Sequence, residues 1–346
     1  MVNPLVALLA AIVLAIIVAI LFWPVRGLVP RWQRERRMTK RVRSEDALKH
    51  IYQRELEGRH PSMESIAGAL HISLNETARL FALMEADQLV QVDQGNIQLT
   101  AKGREAALHI IRAHRLWERY LAEETGYGEE AWHEQADHWE HALTPDAADN
   151  LSAQLGFPTY DPHGDPIPTA SGDIKEPGGQ SLAKTPVESV ARIVHLEDEP
   201  EVVYAQLVAE GLHLGQIVHV IESTPERVRF WTNGNDHVLA PIVASNISVV
   251  PLTRREEIIA DEEKSSTRLS FLELGEAAEV ISISSASRGV ERRRLLDLGI
   301  VPGTAVTAEV RSPGGDPTAY RIRGTLIALR KNQAKMIKIR KITDIA

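Results

Sequence analysis

The chain contains no cysteine. Disulfides, thiolate zinc sites and iron–sulfur ligation are thereby excluded, and any bound metal must be held by imidazole, carboxylate, thioether or backbone oxygen. There is no Gly-Lys-Ser/Thr after a glycine-rich stretch, so Gly314-Gly315-Asp316-Pro317 reads as a turn and not a phosphate loop. An excess of positive charge is missing as well: 39 Lys and Arg oppose 47 Asp and Glu, a formal net charge of −8. The chain as a whole therefore lacks a nucleic-acid signature, and any DNA contact has to be local. No nucleophile–base pairing and no distinct catalytic base are legible, which argues against an enzyme. What the 346 residues do have is 44% hydrophobic content, enough for several small cores.

Long apolar runs are absent after the first. Leu5 through Trp23 is nineteen residues without a charge. As a helix it would span about 28 Å, close to the hydrocarbon thickness of a bilayer. A secretory signal would carry basic residues ahead of a shorter apolar run, and none precedes Leu5. Residues 4–24 are therefore expected to form an uncleaved transmembrane helix. Eight basic residues between Arg26 and Arg43 face a single acid, Glu35, making 25–43 a basic juxtamembrane linker. The positive-inside rule puts that side in the cytoplasm, which predicts a single-pass protein of the cell (inner) membrane with cytoplasmic soluble domains. Contact of this run with anionic lipid is the favoured reading over contact with DNA.

The densest chemistry lies at 114–141. His114 and Glu118 are four apart, and His133, Asp137, Glu140 and His141 follow at spacings of four, three and one. On a helix such positions share one face. Imidazole and carboxylate together suit Mn²⁺, Fe²⁺, Co²⁺, Ni²⁺ or Zn²⁺. The competing reading is a solvated face of Asp/Glu–His pairs. Beside this polar stripe runs an apolar one, Trp132, Ala136, Trp139 and Leu143, on a helix expected over 129–142.

Upstream, Glu45–Leu56, a short helix after Ser62, a helix capped by Ser73 or Asn75, and alternation around Asp93-Gln94-Gly95-Asn96 give the order of a winged helix-turn-helix over 44–103. Its second helix offers Ser73, Asn75, Thr77 and Arg79 for base edges or phosphates, although Glu76, Glu85 and Asp87 oppose a polyanion. Residues 170–185 read as a linker. Strand-rich sequence follows and repeats. Leu207–Gly215 matches Leu295–Gly303 at an offset of 88, and Val238-Leu239, Ala244, Ile247 and Val249 match Ala328-Leu329, Ala334, Ile337 and Ile339 at 90. Two small β-barrels are expected, over 186–252 and 269–344, joined by a charged linker at 253–268. His195, His213, His219 and His237, scattered over the first, are read as structural.

The stretch His114–Leu121 with His133–Leu143, and the turn Pro162-His163-Gly164-Asp165-Pro166-Ile167-Pro168, resemble the metal-binding and dimerisation domain of the diphtheria-toxin-repressor family. Asp165 stands where that family's turn carries Asn. Arg293–Gly303 with Gly314–Pro317 resembles the FeoA/SH3-like domain. The resemblance implies a homodimeric, metal-dependent transcriptional repressor that binds operator DNA of metal-uptake genes, with Mn²⁺ or Fe²⁺ as cofactor and 104–169 as the metal-binding and dimerisation domain. The implied fold is multidomain α+β: transmembrane helix, winged helix-turn-helix, all-α dimerisation domain and two small SH3-like β-barrels. It assigns Asp46, Asp137, Glu140 and His141 to a primary metal site. It assigns His114, Glu118 and His133 to an ancillary one, with Glu201 as a candidate contributor from the first barrel. Lys49 stands where manganese-type members have a carboxylate, which would weaken a second adjacent metal position. The alternative class is a metal-sensing accessory protein that regulates a ferrous-iron transporter through its FeoA domains.

Overall fold

A computed structural model of the chain describes residues 28–93, 96–175, 178–253, 267–284 and 286–342, with side chains from residue 39 onward except that of Glu201. The expected transmembrane helix at 4–24 lies outside the described residues. Among the described residues, no helix is long and apolar enough to cross a membrane.

The chain divides into two compact units. The first holds residues up to Ala113, together with Glu140–Pro145 and Ala170–Gly172. It begins with α1 (Leu28–Leu56), which runs straight through the basic stretch expected as a linker. From Arg31 to Glu57 there is neither glycine nor proline to stop it, and Pro30 sits in the first turn, where a missing N–H costs nothing. Ala47, Leu48, Ile51 and Tyr52 bury one stripe of this helix. α2 (Met63–Ala69) is capped by the Ser62 hydroxyl, and α3 (Leu74–Ala86) by the Ser73 hydroxyl with Glu76 reaching back to the Ser73 N–H. Leu80, Phe81 and Met84 of α3 enter the same core. β1 (Val90–Asp93) and β2 (Asn96–Leu99) pair antiparallel, Val90 opposite Leu99 and Val92 opposite Ile97. α4 (Ala101–Glu124) starts in this unit and continues into the second.

The second unit holds His114–Trp139, Asp146–Thr169 and everything from Asp173. After a short 3₁₀ turn, α5 (Trp132–Glu140) buries Trp132 and Ala136 against Leu121 and Ala122. The helix ends at Glu140, two residues before the expected end, and Trp139 is left 45% exposed. α6 (Pro145–Gln154) follows.

The sequence repeat is a structural repeat. The first copy orders its strands β3-β8-β4-β5-β6-β7, the second β9-β14-β10-β11-β12-β13. In the first these are β3 (Gln180–Ser181), β4 (Val190–Leu196), β5 (Ile217–Ser223), β6 (Val228–Thr232), β7 (Asn235–Leu239) and β8 (Ile247–Pro251). In the second they are β9 (Thr267–Arg268), β10 (Ala277–Ile283), β11 (Ala305–Arg311), β12 (Thr318–Ile322), β13 (Thr325–Leu329) and β14 (Ile337–Lys341). A helix follows the long first strand in each, α7 (Glu201–Ala209) and α9 (Gly289–Asp297), and a short one precedes the last strand, α8 (Pro241–Ala244) and α10 (Lys331–Lys335). Bulges recur at matching places, between Ile193 and His195 and between Val280 and Ser282. All pairs are antiparallel, and each six-stranded sheet wraps its own apolar cluster, one around Phe230 and one around Tyr320.

Candidate metal centre

Two clusters of ligand-bearing side chains form, one in each unit. In the first unit, Asp46 on α1 meets Glu140 and His141, with one ligand atom from each lying within 4.8 Å of the others. His141 Nε2 is 3.2 Å from Asp46 Oδ1 and 3.6 Å from Glu140 Oε1. Its Nδ1 is 2.8 Å from Glu45 Oε2, a neighbour that spacing did not suggest. Glu45 is in turn bound by Arg41 at 2.6 Å. Burial works against charge on the His141 ring, but the carboxylates of Asp46 and Glu45 outweigh it and raise the group to about 9. Glu140 is 1% exposed, and Lys49 Nζ lies 3.2 Å from its Oε2. The lysine that replaces a carboxylate in this chain is thus an ammonium bound to a prospective ligand.

The second cluster is the more enclosed. His114 Nε2 and Glu118 Oε1 are 3.0 Å apart, and His133 Nδ1 lies 3.3 Å from His114 Nε2 and 3.2 Å from Glu118 Oε1. Glu118 and His163 are each 1% exposed. Asp198, just beyond β4, brings its Oδ2 to 3.2 Å from His133 Nδ1 and 3.7 Å from His163 Nδ1, while Glu118 Oε2 stands 3.6 Å from the same His163 nitrogen. Despite the burial that opposes charge, Asp198 and Glu118 raise His133 to about 10, and Glu118 with Asp161 and Asp198 raises His163 to about 9. Burial pushes the Glu118 carboxyl up, but His114 and His163 hold it well below the usual range.

A turn places His163. Asp161 Oδ1 accepts the backbone N–H groups of His163, Gly164 and Asp165 at 2.8, 2.9 and 2.9 Å. Leu196 N donates to His163 O at 2.9 Å, so the turn is fastened to β4. Gly164 sits at φ +99°, and a Cβ there would lie 2.2 Å from Val194 O. Only glycine lets the turn approach the strand this closely, and that approach carries Asp198 to His163. Asp165, in the Asn position of the resembling family, takes Arg115 at 3.3 Å and His195 at 3.4 Å.

Both clusters fit a divalent ion of the Mn²⁺/Fe²⁺ kind: the donors are carboxylate oxygen and imidazole nitrogen throughout. In the second, the buried His163 ring has no hydrogen-bond partner at either nitrogen although two carboxylates stand close by. That arrangement suits a cation better than a hydrogen-bond network.

Asp46, Glu140 and His141 come together, as do His114, Glu118 and His133. Within the second unit, Asp137 lies 3.2 Å from His114 Nδ1 and 3.7 Å from His133 Nε2. Asp137 is four residues after His133 and three before Glu140 on α5, whereas His141 falls just beyond the helix end. The side chain of Glu201 is outside the described residues. The first β copy contributes Asp198, three residues earlier. Neither His163 nor Asp198 belongs to the helical spacing; the structure brings them together where the His163 turn meets β4. His213, His219 and His237 each pair with a carboxylate, Glu129, Glu188 and Glu210.

The expected DNA-contacting set divides. Asn75 and Arg79 are exposed on α3. The Ser73 hydroxyl is engaged in capping, and Thr77 is 1% exposed with its Oγ1 donating to Ser73 O at 3.1 Å. Thr77 therefore faces the core and not a ligand, a correction that follows from Leu80, Phe81 and Met84 defining the buried face.

Comparison with known proteins matches residues 100–169 to the model of the iron-dependent repressor metal-binding and dimerisation domain, and residues 267–341 to the FeoA domain. The chain is 39% identical over 123 residues to the iron-dependent repressor IdeR of Mycobacterium leprae, an overlap of 35% of this chain and 53% of that protein. It is 33% identical over 186 residues to the diphtheria toxin repressor of Corynebacterium efficiens, covering 50% of this chain and 80% of that one. The chain thus spans about half of the mycobacterial relative and most of the corynebacterial one. Among solved structures, a manganese-dependent transcriptional repressor in complex with manganese superposes with a TM-score of 0.55 at 28% identity, over 60% of this chain and 100% of that one. These relatives are named as repressors, not enzymes. The chain belongs to the iron-dependent repressor family that includes the diphtheria toxin repressor.

Proposed function

We propose that the protein is a membrane-anchored, metal-dependent transcriptional repressor of metal-uptake genes, with Mn²⁺ or Fe²⁺ as co-repressor and a homodimer as the operator-binding form. The observation that carries this reading is the convergence of Asp46 with Glu140 and His141. One ion held by the three would tie α1, which packs the helix-turn-helix, to the segment that follows α5. An ion shifts such an equilibrium only by binding one arrangement better than the other. When bound, the metal supplies positive charge that replaces the protons on His141 and offsets the Asp46 and Glu140 carboxylates. Glu45 and Arg41 orient the His141 ring from its other nitrogen. The second cluster would hold a further ion between the dimerisation helices and the first β copy, through His114, Glu118, His133, His163 and Asp198.

The apolar run at 4–24 and the basic segment after it support single-pass anchoring with the soluble domains in the cytoplasm. The test is a gel shift of the detergent-solubilised full chain on its own upstream DNA, with and without Mn²⁺ or Fe²⁺. Metal-dependent retardation that is lost in Glu140→Ala/His141→Ala is the expected result. Metal binding without any DNA retardation, accompanied by recovery of a ferrous-iron transporter in pull-down, would replace this reading with that of a transporter accessory protein.

A further inference from the structure

The second β copy and the dimerisation helices enclose a cleft of about 490 Å³ that the metal clusters do not use. Its volume is that of a site for a small organic molecule, within the roughly 300–1,000 Å³ common for such pockets. Arg119, Arg288, Arg292 and Arg293 line it, against two lining carboxylates, Glu123 and Asp161. Arg119 pairs with Glu123, and Arg293 makes a two-pronged pair with Glu124 at 2.6 and 3.2 Å. Arg292 donates to Ile283 O and Ser284 O, which are neutral acceptors, and Arg288 to Pro162 O. The Asp161 carboxylate is turned to its own backbone, with Oδ1 taking three N–H groups. Positive charge therefore prevails in the cleft.

Two further features point to an anionic ligand. α9 begins in the cleft at Gly289 with no side-chain cap on its first N–H groups, though Glu291 stands in the first turn. Gly289, at φ +54°, lets that end come close to α4: a Cβ there would be 3.0 Å from Ala122 O. Beside it Ser287 is 1% exposed, lines the cleft, and its hydroxyl has no partner. Arg119 Nε is likewise buried without an acceptor. Buried donors left without an acceptor are uncommon, and here two of them line a cavity edged by guanidinium groups. Leu214 and Leu296 supply apolar wall.

We propose that this cleft binds a small soluble phosphorylated metabolite, its phosphate taken by Ser287 Oγ, Arg119 Nε and the neighbouring guanidinium groups, and its organic part lying against Leu214 and Leu296. Planar guanidinium forks match phosphate oxygens in geometry, and a helix start adds favourable dipole. The ligand is distinct from the metals of the two clusters, since the lining carboxylates are already engaged, Glu123 by Arg119 and Asp161 by three backbone N–H groups.

The test is calorimetric titration of the metal-free, detergent-solubilised full chain with inorganic phosphate, at constant ionic strength against chloride. Saturable binding is expected. Ser287→Ala should weaken it about tenfold, as loss of one charge-assisted hydrogen bond does, while leaving the melting temperature without phosphate unchanged, because the hydroxyl has no partner to lose. Arg119→Gln should weaken it at least as much. Absence of saturation, equal affinity in both variants and the wild type, or saturation by duplex DNA in place of phosphate would each overturn the proposal.

Discussion

Replacing Lys49 by Gln is expected to tighten Mn²⁺ binding at the Asp46–Glu140–His141 cluster. Lys49 Nζ is 3.2 Å from Glu140 Oε2, and the opposite oxygen, Oε1, faces His141. An ion held on the Oε1 side would stand about 6 Å from the ammonium. A +2 and a +1 charge at that distance repel by about 1.4 kcal/mol in a water-like dielectric and about 5.5 kcal/mol at an effective dielectric of 20. The lysine side chain is 25% exposed and its stem is flexible, so it can swing toward solvent and the lower figure governs. About 1.4 kcal/mol is tenfold in affinity.

The same substitution has an opposite effect on the metal-free protein. It takes the ammonium away from the Glu140 carboxylate, 1% exposed, which costs about 1–3 kcal/mol of stability. Calorimetry with Mn²⁺ and thermal melting of the metal-free chain should therefore move in contrary directions: tighter binding, lower melting temperature. Lys49→Arg keeps the charge and should leave the affinity near wild type. Unchanged or weaker binding in Lys49→Gln, with Lys49→Arg equal to it, would refute the reasoning and place the ion away from Glu140.

Three further outcomes are expected. Because His141 is raised to about 9, a metal must displace its proton at neutral pH; affinity should fall about tenfold per pH unit below 9 for each proton released, measurable by titration at pH 6, 7 and 8. In the metal-free protein His133, at about 10, and His163, at about 9, bind protons more tightly folded than unfolded. Their stabilisation is complete below about pH 6.5 and is lost as pH rises through 9 to 10, while that of the depressed Glu118 is lost in acid, so metal-free melting temperature should decline from pH 6.5 to 10. On α3, Thr77→Val should cost about 1 kcal/mol of stability by removing the bond to Ser73 O and leave DNA binding unchanged, whereas Arg79→Ala should weaken DNA retardation without altering the melt.

The helical elements and the duplication were legible because both are periodic in sequence. Ala47, Leu48 and Ile51 repeat at helical spacing and are buried, though Leu56, which continues the spacing, is 68% exposed; the Gly211/Gly299 and Gly215/Gly303 pairs, all at positive φ, mark the same turns in both copies. The composition of the metal clusters was legible in part for the same reason. His114 and Glu118, one turn apart on a single helix, stay together whatever surrounds them. Asp137, one turn after His133 on α5, follows the same logic and lies 3.7 Å from it, while His141 falls just past the end of that helix. Thr77 carries a polar hydroxyl, yet on α3 it lies on the face of Leu80 and Met84 and satisfies its donor locally, so polarity alone does not place it at a surface.

His163 and Asp198 show a different kind of limit. Neither has a partner within helical reach in sequence, and they lie 35 positions apart. They meet because Gly164 permits a backbone contact with β4 that any side chain would block. A contact of this kind is encoded by the absence of an atom, not by the presence of a ligand, so a search for ligand spacing passes over it. The consequence for function is specific. The second cluster draws on α4, α5, the 161–168 turn and the first β copy at once, and each of these supplies at least one imidazole or carboxylate. An ion there would cross-link four segments of one unit, whereas the first cluster joins α1 to a single short return. The enclosed cluster, with Glu118 and His163 almost fully buried, would hold an ion as part of the unit's own packing. The first, with Asp46 half exposed and Lys49 already bound to Glu140, would let an ion exchange more readily. On the proposed reading, sensing would fall to the more exposed first cluster and structural support to the enclosed second one.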